Sequence, residues 1–419
     1  MAVESRDSPV TGDVSQKQQL IIMLSTDRFY RLTGGVRHYA WGESINSTGG
    51  RCPYIPQLLS QAPGEEPWAE LWLGAHPSLP SVLSDGTALS DAIAQAPEQW
   101  LGANGGTQLA YLFKVLSCSH ALSIQSHPDE KSAIVLHAEH PELYPDPHDK
   151  TEIIIAITPF EAMAGLREPA MIEASLLALP ALKDALYEPW KRGTNAQSLR
   201  GLCELIFAMP QDTVKALFAQ LHAALDDSQT RTDAEELFLY LEREYPNDRG
   251  ALFAFLLNHK RLSPGESLFL APNSPHAYIH GTGVECMTNS DNVIRAGLTG
   301  KAIDVPTLLN TVDFARFGAQ PVEPRVNKCG AGETLSYEPP TPKFKLQILN
   351  NAPLDFAQCT EGLGMLLILE GEMTLTAGAA SVKAQKGTCW VRPSALTSGT
   401  AVPSMPNTRA VWVQTAFNK

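Results

Sequence analysis

The sequence lacks the features of a disulfide-rich, membrane-spanning or nucleic-acid-binding protein. Its seven cysteines are scattered and none forms a CxxC pair, so we expect neither a disulfide framework nor a thiolate zinc site, and we predict a cytoplasmic protein. The longest apolar runs, such as residues 364–369, are too short to cross a bilayer. Lys and Arg number 32 against 45 Asp and Glu, and the net charge of −13 disfavours nucleic-acid or anionic-membrane partners. An anionic small molecule remains compatible, provided that a few cations gather in one pocket.

Histidine is missing from the last part of the chain. All eleven histidines lie between His38 and His280. A metal held by imidazole must therefore lie in the earlier part, and we expect no second metal site after residue 280.

Apolar periodicity divides the chain into zones. Short apolar runs between Gly, Pro, Asn and Asp residues predict strands of a sandwich or barrel, for example at 109–116, 121–125 and 152–157. Helical spacing then predicts amphipathic helices around 214–225 and 233–245 and a buried apolar helix at 251–258. The predicted division is a flexible leader (1–23, with Met23 as a candidate alternative start), a β-rich catalytic part (24–168), a helical insertion (169–262), a second β-rich catalytic part (263–335) and a C-terminal β domain (336–419).

Four candidate metal ligands lie near the ends of strand-like runs. Gln125 and His127 are two apart and so share one face of a strand, although such a pair alone is more often a hydrogen-bonded surface pair. Glu152 opens an apolar strand, where a solvated carboxylate is the ordinary alternative. His276 follows a strand and a Pro-bearing turn, an arrangement seen in cupin barrels, although a lone histidine after a turn is otherwise more often a surface residue. One amide oxygen, two imidazoles and one carboxylate suit zinc, and do not by themselves exclude iron or manganese.

A polar segment at 281–301 supplies further candidates. It carries Glu285 on a strand-like run, followed by Arg295 and Lys301. Arginine offers planar paired donors that suit a phosphate or a developing enediolate oxygen. An ordinary surface arginine is the alternative.

Several motifs together resemble the type I mannose-6-phosphate isomerases (phosphomannose isomerases) of the cupin superfamily. They are YAWG (39–42), AELWLGAHPS (69–78), FKVLS (113–117), SIQSHPDEK (123–131), HAYI (276–279) and ECMTNSDNVIRAGLTGK (285–301). The similarity covers roughly residues 29–314 and is much fainter beyond. The resemblance implies a mainly β fold with an α-helical insertion, in which cupin-like jelly-roll β-barrels form a catalytic barrel and a C-terminal β domain packed against it.

The resemblance also implies roles for individual residues. Zinc, one ion per chain, would be held by Gln125, His127, Glu152 and His276. Arg295 would be the catalytic arginine, and the substrate or phosphate contacts would be Lys114, Ser123 and Lys301, with Lys150 also lining the pocket. For the general base we predict Glu285 first and Lys150 second; the alternative for Glu285 is a structural carboxylate paired with Arg295.

One departure from the family pattern affects the base. The family usually reads His-Lys-Pro-Glu before its zinc glutamate, whereas this chain reads Asp149, Lys150, Thr151, Glu152. The histidine sometimes proposed there as a proton carrier is absent, although His148 is one step away. The identity of the base therefore stays open.

The function implied is a zinc-dependent isomerase that interconverts D-mannose 6-phosphate and D-fructose 6-phosphate through an enediol, linking mannose metabolism and GDP-mannose precursor supply to glycolysis. The expected partner is a small sugar phosphate, and we expect a monomer, with a weak dimer as the alternative. Two rivals are an iron cupin oxygenase, disfavoured by Gln125 in place of histidine and by the nearby cations, and a cupin that binds or stores sugar phosphate without turnover.

Overall fold

The structure is a computed structural model that describes residues 25–193 and 198–416. The predicted leader and the alternative start at Met23 lie outside the described residues. None of the helices in the described part is long and apolar enough to span a membrane.

The part that precedes the helical segment contains eight strands and four short helices among the described residues. The strands are β1 (Tyr30–Thr33), β2 (Gly35–Arg37), β3 (Glu70–Leu73), β4 (Val82–Leu83), β5 (Tyr111–Cys118), β6 (Ile124–Ser126), β7 (Glu152–Ala156) and β8 (Phe160–Leu166). The helices are α1 (Tyr54–Leu59), α2 (Leu89–Gln95), α3 (Pro97–Leu101) and α4 (Glu130–Glu139). The three apolar runs predicted as strands became β5, β6 and β7. The four helices were not predicted, because they are short segments between the strands.

The central segment is helical, as predicted. It contains α5 (Pro169–Ala178), α6 (Pro180–Leu182), a π-helical turn (Lys183–Tyr187), α7 (Glu188–Arg192), α8 (Leu199–Ala208), α9 (Gln211–Asp226), α10 (Asp233–Glu244) and a 3-10 helix (Arg249–Phe255). The apolar stripe of α9 is buried at the predicted positions, and a capping box between Thr232 and Glu235 starts α10.

The end of this segment differs from the expectation. Residues 251–258 were predicted as one buried helix. Residues 251–257 are buried, but the 3-10 helix ends at Phe255 and a strand, β9 (Leu257–Leu262), follows. This strand pairs with β8, and the Asn258 side chain donates to backbone oxygens of β8, including that of Gly165 at 2.9 Å. A run that is apolar on all sides fits a buried strand as well as a buried helix, so periodicity could not distinguish them.

The remaining elements are mostly strands. They are β10 (Ser267–Leu270), β11 (His276–Thr288), β12 (Ile294–Gly297), α11 (Val305–Thr311), β13 (Arg325–Cys329), β14 (Gly332–Tyr337), β15 (Lys345–Asn350), β16 (Leu354–Asp355), a 3-10 turn (Phe356–Gln358), β17 (Gly364–Glu370), β18 (Glu372–Ala377), β19 (Ala380–Gln385), β20 (Cys389–Arg392), β21 (Thr400–Pro403) and β22 (Arg409–Gln414). The protein is therefore mostly β with a helical segment, as expected from the sequence.

The long strand β11 is the centre of a ten-stranded sheet, which carries the candidate site. Its second half pairs with β5 and β7, within the order β10-β7-β11-β5-β3-β2. Its first half pairs with β6 and β8, which in turn pair with β12 and β9. Strand β11 thereby connects all the strands from which candidate site residues were predicted.

The C-terminal strands form an eight-stranded sheet, in the order β13-β14-β15-β22-β17-β20-β1-β4, and a four-stranded sheet, in the order β16-β21-β18-β19. Strands β1 and β4 come from the N-terminal part of the chain, and the predicted boundary at 335/336 falls inside β14. Strand pairing over such distances depends on tertiary contacts, which the apolar pattern does not reveal.

One apolar core joins the eight-stranded and ten-stranded sheets. Val115, Ile155 and Val284 of the ten-stranded sheet share a buried cluster with Leu367 and Val411 of the eight-stranded sheet. Because side chains alternate along a strand, their neighbours in the sequence point to the opposite face. Those neighbours include the polar residues of the candidate site.

Candidate active site

Strand pairing brings the four predicted metal ligands to one place. Gln125 on β6 is the register partner of His276 at the start of β11, and His127 follows β6 directly. Glu152 begins β7, which pairs with the second half of β11. Gln125 and His127 thus meet the beginning of β11 through the β6 pairing, whereas Glu152 is opposite Met287 in the β7–β11 register and reaches His276 through its side chain.

His127, Glu152 and His276 form a buried cluster. Their potential ligand atoms all lie within 4.8 Å of one another. Nε2 of His127 is 3.3 Å from Glu152 Oε1, and Nε2 of His276 is 3.4 Å from Glu152 Oε2. No further group of three or more such residues that could hold a metal occurs in residues 25–193 and 198–416.

Backbone carbonyls fix the orientation of both imidazoles. Nδ1 of His127 donates to the Asn292 carbonyl at 2.8 Å, and Nδ1 of His276 donates to the Ser274 carbonyl at 3.0 Å. In both residues Nε2 faces the carboxylate, and it is the nitrogen that carries no proton in a neutral ring whose Nδ1 donates. Nε2 of His127 is buried and has no hydrogen-bond partner among the described residues, which is the arrangement of a metal ligand whose other nitrogen is hydrogen-bonded.

The electrostatics favour the protonation states that metal binding requires. Burial, together with the charge of Lys150, lowers the pKa of His127 to about 4. Burial opposes ionisation of Glu152, but Lys150, whose Nζ lies 3.2 Å from Oε1, and the imidazoles outweigh it and hold the pKa of Glu152 well below its usual value. A neutral imidazole and an ionised carboxylate are the metal-binding forms.

A second buried polar group adjoins the cluster. Lys114 Nζ lies 3.3 Å from Glu70 Oε1 and 3.1 Å from Glu285 Oε2. The Tyr278 hydroxyl donates to Glu285 Oε1 at 2.8 Å, and the Trp72 indole donates to Glu70 Oε2 at 2.8 Å. Glu285 thus pairs with Lys114, and not with Arg295 as the structural alternative had assumed.

The charges in this group perturb one another. Burial alone would lower the pKa of Lys114, but Glu70 and Glu285 outweigh it and raise that pKa above its usual value. Burial raises the pKa of Glu285, although the Lys114 ammonium beside it favours the ionised form. Lys114 therefore stays charged, and Glu285 is a carboxylate that accepts a proton more readily than an exposed one.

A small pocket of about 50 Å³ connects the two groups. The residues that line it are Glu70, Lys114, Leu116, Leu122, Gln125, Lys150, Glu152, His276, Ala277, Tyr278 and Glu285. Six of the predicted site residues are among them.

Four predicted site residues do not line this pocket. His127 contacts Glu152, a residue that lines the pocket, with its Nε2 3.3 Å from Glu152 Oε1. Arg295 on β12 is the register partner of Gln125 and half-buried, and its guanidinium makes no hydrogen bond or ion pair within the described part of the chain. Ser123 is partly buried just before β6, and Lys301 is exposed in the loop after β12.

The residues at the family's histidine position do not enter the pocket. The His148 side chain is exposed, and its carbonyl accepts from the Asn292 amide at 2.9 Å. Asp149 is partly buried and lines a different cavity. Neither is placed to carry a proton in the described pocket.

Comparison with known proteins identifies the family. A sequence model described as phosphomannose isomerase type I, catalytic domain, matches residues 29–169. The mannose-6-phosphate isomerase of Ogataea parapolymorpha is 35% identical over 385 residues, which cover 84% of this chain and 89% of the relative. Mannose-6-phosphate isomerase 1 of Arabidopsis thaliana is 32% identical, covering 84% of this chain and 87% of the relative.

The chain belongs to the type I phosphomannose isomerase family.

A solved structure agrees with this assignment. Mannose 6-phosphate isomerase from Salmonella typhimurium, bound to fructose 6-phosphate and zinc, has a TM-score of 0.78 and 29% identity, covering 93% of this chain and all of that one. The type I phosphomannose isomerase resemblance predicted from the motifs is confirmed. Family membership favours the isomerase over the iron oxygenase.

Sequence reasoning missed three residues of this phosphomannose isomerase site. Glu70 and Tyr278 line the pocket, and Asn292 holds His127. Tyr278 lies two residues after His276 on one strand and therefore shares its face, a signal that was available. Glu70 reaches the site through the pairing of β3 with β5, and Asn292 reaches it only through its backbone carbonyl, so neither carried a signal in the sequence.

Proposed function

We propose that this chain is a zinc-dependent aldose–ketose isomerase that interconverts D-mannose 6-phosphate and D-fructose 6-phosphate. The observation that carries the proposal is the buried His127–Glu152–His276 cluster, with an unpaired imidazole nitrogen, beside a pocket lined by buried lysines. The names of the relatives and the zinc and fructose 6-phosphate bound by the Salmonella protein support it.

Gln125, His127, Glu152 and His276 would hold one zinc ion. The donor set fits, because two neutral imidazoles, a carboxylate and an amide oxygen are zinc ligands, and the described cysteines are all free. When bound, zinc supplies Lewis-acid polarisation of the sugar oxygens.

Arg295 would stabilise the negative charge that develops on the enediolate oxygens. Three features support this role: the guanidinium is half-buried, it has no side-chain partner among the described residues, and it lies beside Gln125 across the β6–β12 pairing. A planar donor pair with no competing partner is free to bind an anionic oxygen.

Glu285 is the preferred base for moving the proton between C1 and C2 of the open-chain sugar. It lines the pocket and is buried, and burial raises its pKa towards the working range of a general base. Lys150 is the second candidate. It ranks below Glu285 because its side chain pairs with Glu152, and an ammonium has no lone pair with which to accept a proton. Tyr278 and Lys114 hold Glu285 from its two oxygens.

The phosphate contacts are assigned to the rim of the pocket. Lys114 is engaged by two carboxylates, so its main effect is on Glu285 and Glu70. Ser123 and Lys301 are the proposed phosphate contacts, and Lys301 has no ion pair within the described residues. An exposed lysine can meet the phosphate of a sugar whose carbon chain enters the pocket.

We also infer a cupin-type architecture and a cytoplasmic, monomeric protein. The antiparallel sheets, built from strands that precede and follow the helical segment, support jelly-roll barrels for the catalytic part and the C-terminal domain. The predicted division into residues 24–168, 169–262, 263–335 and 336–419 is retained, with β1, β4, β13 and β14 contributing strands to the C-terminal sheet. Seven free cysteines support a reducing compartment.

The test is a coupled assay for fructose 6-phosphate formed from mannose 6-phosphate. It is run on the purified protein, after chelation, and after zinc is added back. We expect turnover that disappears with the chelator and returns with zinc. A folded, zinc-loaded protein that binds mannose 6-phosphate without turnover would instead be the binding or storage cupin.

A further inference from the structure

The segment Asp149–Glu152 presents alternate side chains to two cavities. Lys150 and Glu152 line the candidate active site. Asp149 and Thr151 line a second, larger cavity, which is also lined by residues 340–343 of the C-terminal unit (residues 336–419). This alternation is what an extended segment produces. Asp149, in the place of the family's histidine, therefore faces away from the candidate metal cluster.

Both carboxylate oxygens of Asp149 are engaged. Oδ1 pairs with the ammonium of Lys343, and Oδ2 accepts from the Thr151 hydroxyl at 2.7 Å. The exposed fractions of the Asp149 and Lys343 side chains are 13% and 26%, so the pair is largely shielded from solvent. Such a pair holds its geometry better than an exposed one.

Lys343 is itself firmly attached to the C-terminal unit. The next residue, Phe344, is fully buried in the core between the two large sheets, and β15 begins immediately after it. The Lys343 amide also donates to the Thr341 hydroxyl at 3.3 Å. The ammonium is thus presented from a fixed backbone.

Other contacts hold the same segment from the catalytic side. The side-chain amide of Asn292 donates to the backbone carbonyls of Asp146 and His148, at 2.7 and 2.9 Å. The backbone N–H of Thr288 donates to the Thr151 carbonyl at 2.9 Å. The contact through Asp149 lies between these two attachments, directly beside Lys150.

We propose that Lys343 is a positioning residue, through which the C-terminal unit holds the segment that presents Lys150 and Glu152 to the active site. The proposal rests on the proposed zinc isomerase function. It assigns the C-terminal unit a role in the geometry of the metal site. The structural basis is the Lys343–Asp149 pair, since a displacement of Asp149 moves the backbone that carries the 3.2 Å contact between Lys150 and Glu152.

The test compares the single substitutions Lys343→Met and Asp149→Asn with the double variant. Methionine retains the aliphatic stem of Lys343, and asparagine retains an oxygen for Thr151, so each change removes mainly charge. We expect each to raise the zinc dissociation constant roughly 3- to 10-fold, less than the ~10–100-fold typical of residues that contact a metal ligand directly. The double variant should lose no more than either single one, because both remove the same contact.

Two controls separate positioning from general stability. Lys343→Arg keeps the charge and should retain near wild-type zinc affinity. Lys383→Met breaks another ion pair of the C-terminal unit, with Glu372 at 2.7 Å, in which the lysine side chain is 57% exposed and which lies far from the segment in the sequence. It should leave zinc affinity and kcat unchanged, even if it lowers the denaturation midpoint.

A metal-free measurement keeps this proposal distinct from the proposed function. Hydrogen exchange of the peptide containing residues 149–152 should accelerate in the metal-free Lys343→Met protein and not in Lys383→Met. If the wild type binds no zinc, the proposed function fails, while the exchange data still test the contact. Unchanged exchange and unchanged zinc affinity in Lys343→Met, or equal effects in Lys383→Met, would overturn the positioning role.

Discussion

The active-site pocket and the interior of the C-terminal unit are filled in opposite ways. Both are enclosed by antiparallel strands. The pocket carries buried ionisable side chains on β3, β5, β7 and β11. The interior between the eight-stranded and four-stranded sheets is an apolar cluster that includes Leu366, Ile368, Met373, Leu375 and Trp412.

This difference separates the chemistry from the stabilising framework. Buried charges need partners, and the pocket supplies them in an alternating series of carboxylates and cations, from Glu70 through Lys114 and Glu285 to Lys150 and Glu152. Such pairs contribute little net stability, because desolvation opposes their attraction. The apolar C-terminal interior and the core shared by the two large sheets therefore hold the framework.

The largest expected effect comes from removing a proposed ligand. In Glu152→Gln the anionic oxygen between the two imidazoles is lost, and Lys150 is left without its partner. We expect zinc affinity to fall by at least ~100-fold, beyond the usual loss for residues outside the first coordination shell, and activity to fall with it. Elemental analysis of zinc per chain and the coupled assay measure both.

The matched change in the other interior is Ile368→Val. Ile368 is fully buried in the C-terminal cluster, so loss of one methyl group should reduce the free energy of unfolding by about 0.5–1.5 kcal/mol. Zinc content and kcat should not change. A Glu152→Gln protein that retains full zinc would contradict the division between the two regions.

The next largest effect is expected for Glu285→Gln. The amide keeps the shape and the Tyr278 contact but cannot accept a proton, so kcat should fall by about 10²–10⁴-fold while zinc remains bound. Glu285 must be ionised to act as base, and burial raises its pKa. Wild-type activity should therefore decline as pH falls through a value above the ~4.3 of an exposed glutamate.

A pH–rate profile checks this assignment. The acidic limb should be missing from the residual activity of Glu285→Gln. If the variant keeps wild-type kcat and the same limb, the base is Lys150 or another group, and the buried Glu285–Lys114 pair is structural.

A smaller loss is expected for Arg295→Lys. Lysine keeps the charge but not the planar donor pair, so kcat/KM should fall by roughly 10–100-fold without loss of zinc. The matched control is Arg261→Lys on β9, whose guanidinium pairs at the surface with Asp233 at 3.1 Å. Equal activity of both variants would show that Arg295 acts only as a surface cation.

How far the sequence could predict this site depends on the range of the contacts. The spacing of Gln125 and His127 alone favoured a surface pair, and it was the resemblance of the surrounding motifs to the family that implied ligand roles for His127 and Glu152. The strand and helix zones followed from the apolar period, and the α9 and α10 faces are buried as predicted. These predictions required only neighbouring residues.

The rest depends on pairing between distant segments. Glu70 meets Lys114 through the β3–β5 register, and β1 joins a sheet formed mainly from residues after 324. Asp149 meets Lys343 across 194 positions. No periodicity within one segment specifies its partner, so these contacts and the strand β9 emerged only in the folded structure.

The smallest effect is expected for Lys301→Met, which changes an exposed residue outside both interiors. Lys301 is exposed, has no ion pair among the described residues and does not line the pocket, unlike the buried Lys114 and Lys150. Water and dissolved ions screen the attraction between a solvent-exposed lysine and a phosphate. KM should therefore rise only about 3-fold at low ionic strength, with kcat unchanged. The KM values of the variant and the wild type should differ at low ionic strength and become equal at physiological ionic strength, because the screening length shortens to about 8 Å at 0.15 M.

The control is Lys383→Met, which also removes an exposed cation and should change neither KM nor its dependence on ionic strength. If kcat itself falls more than ~10-fold in Lys301→Met, the loop after β12 closes over the substrate, and the functional surface then extends beyond the buried pocket to this rim.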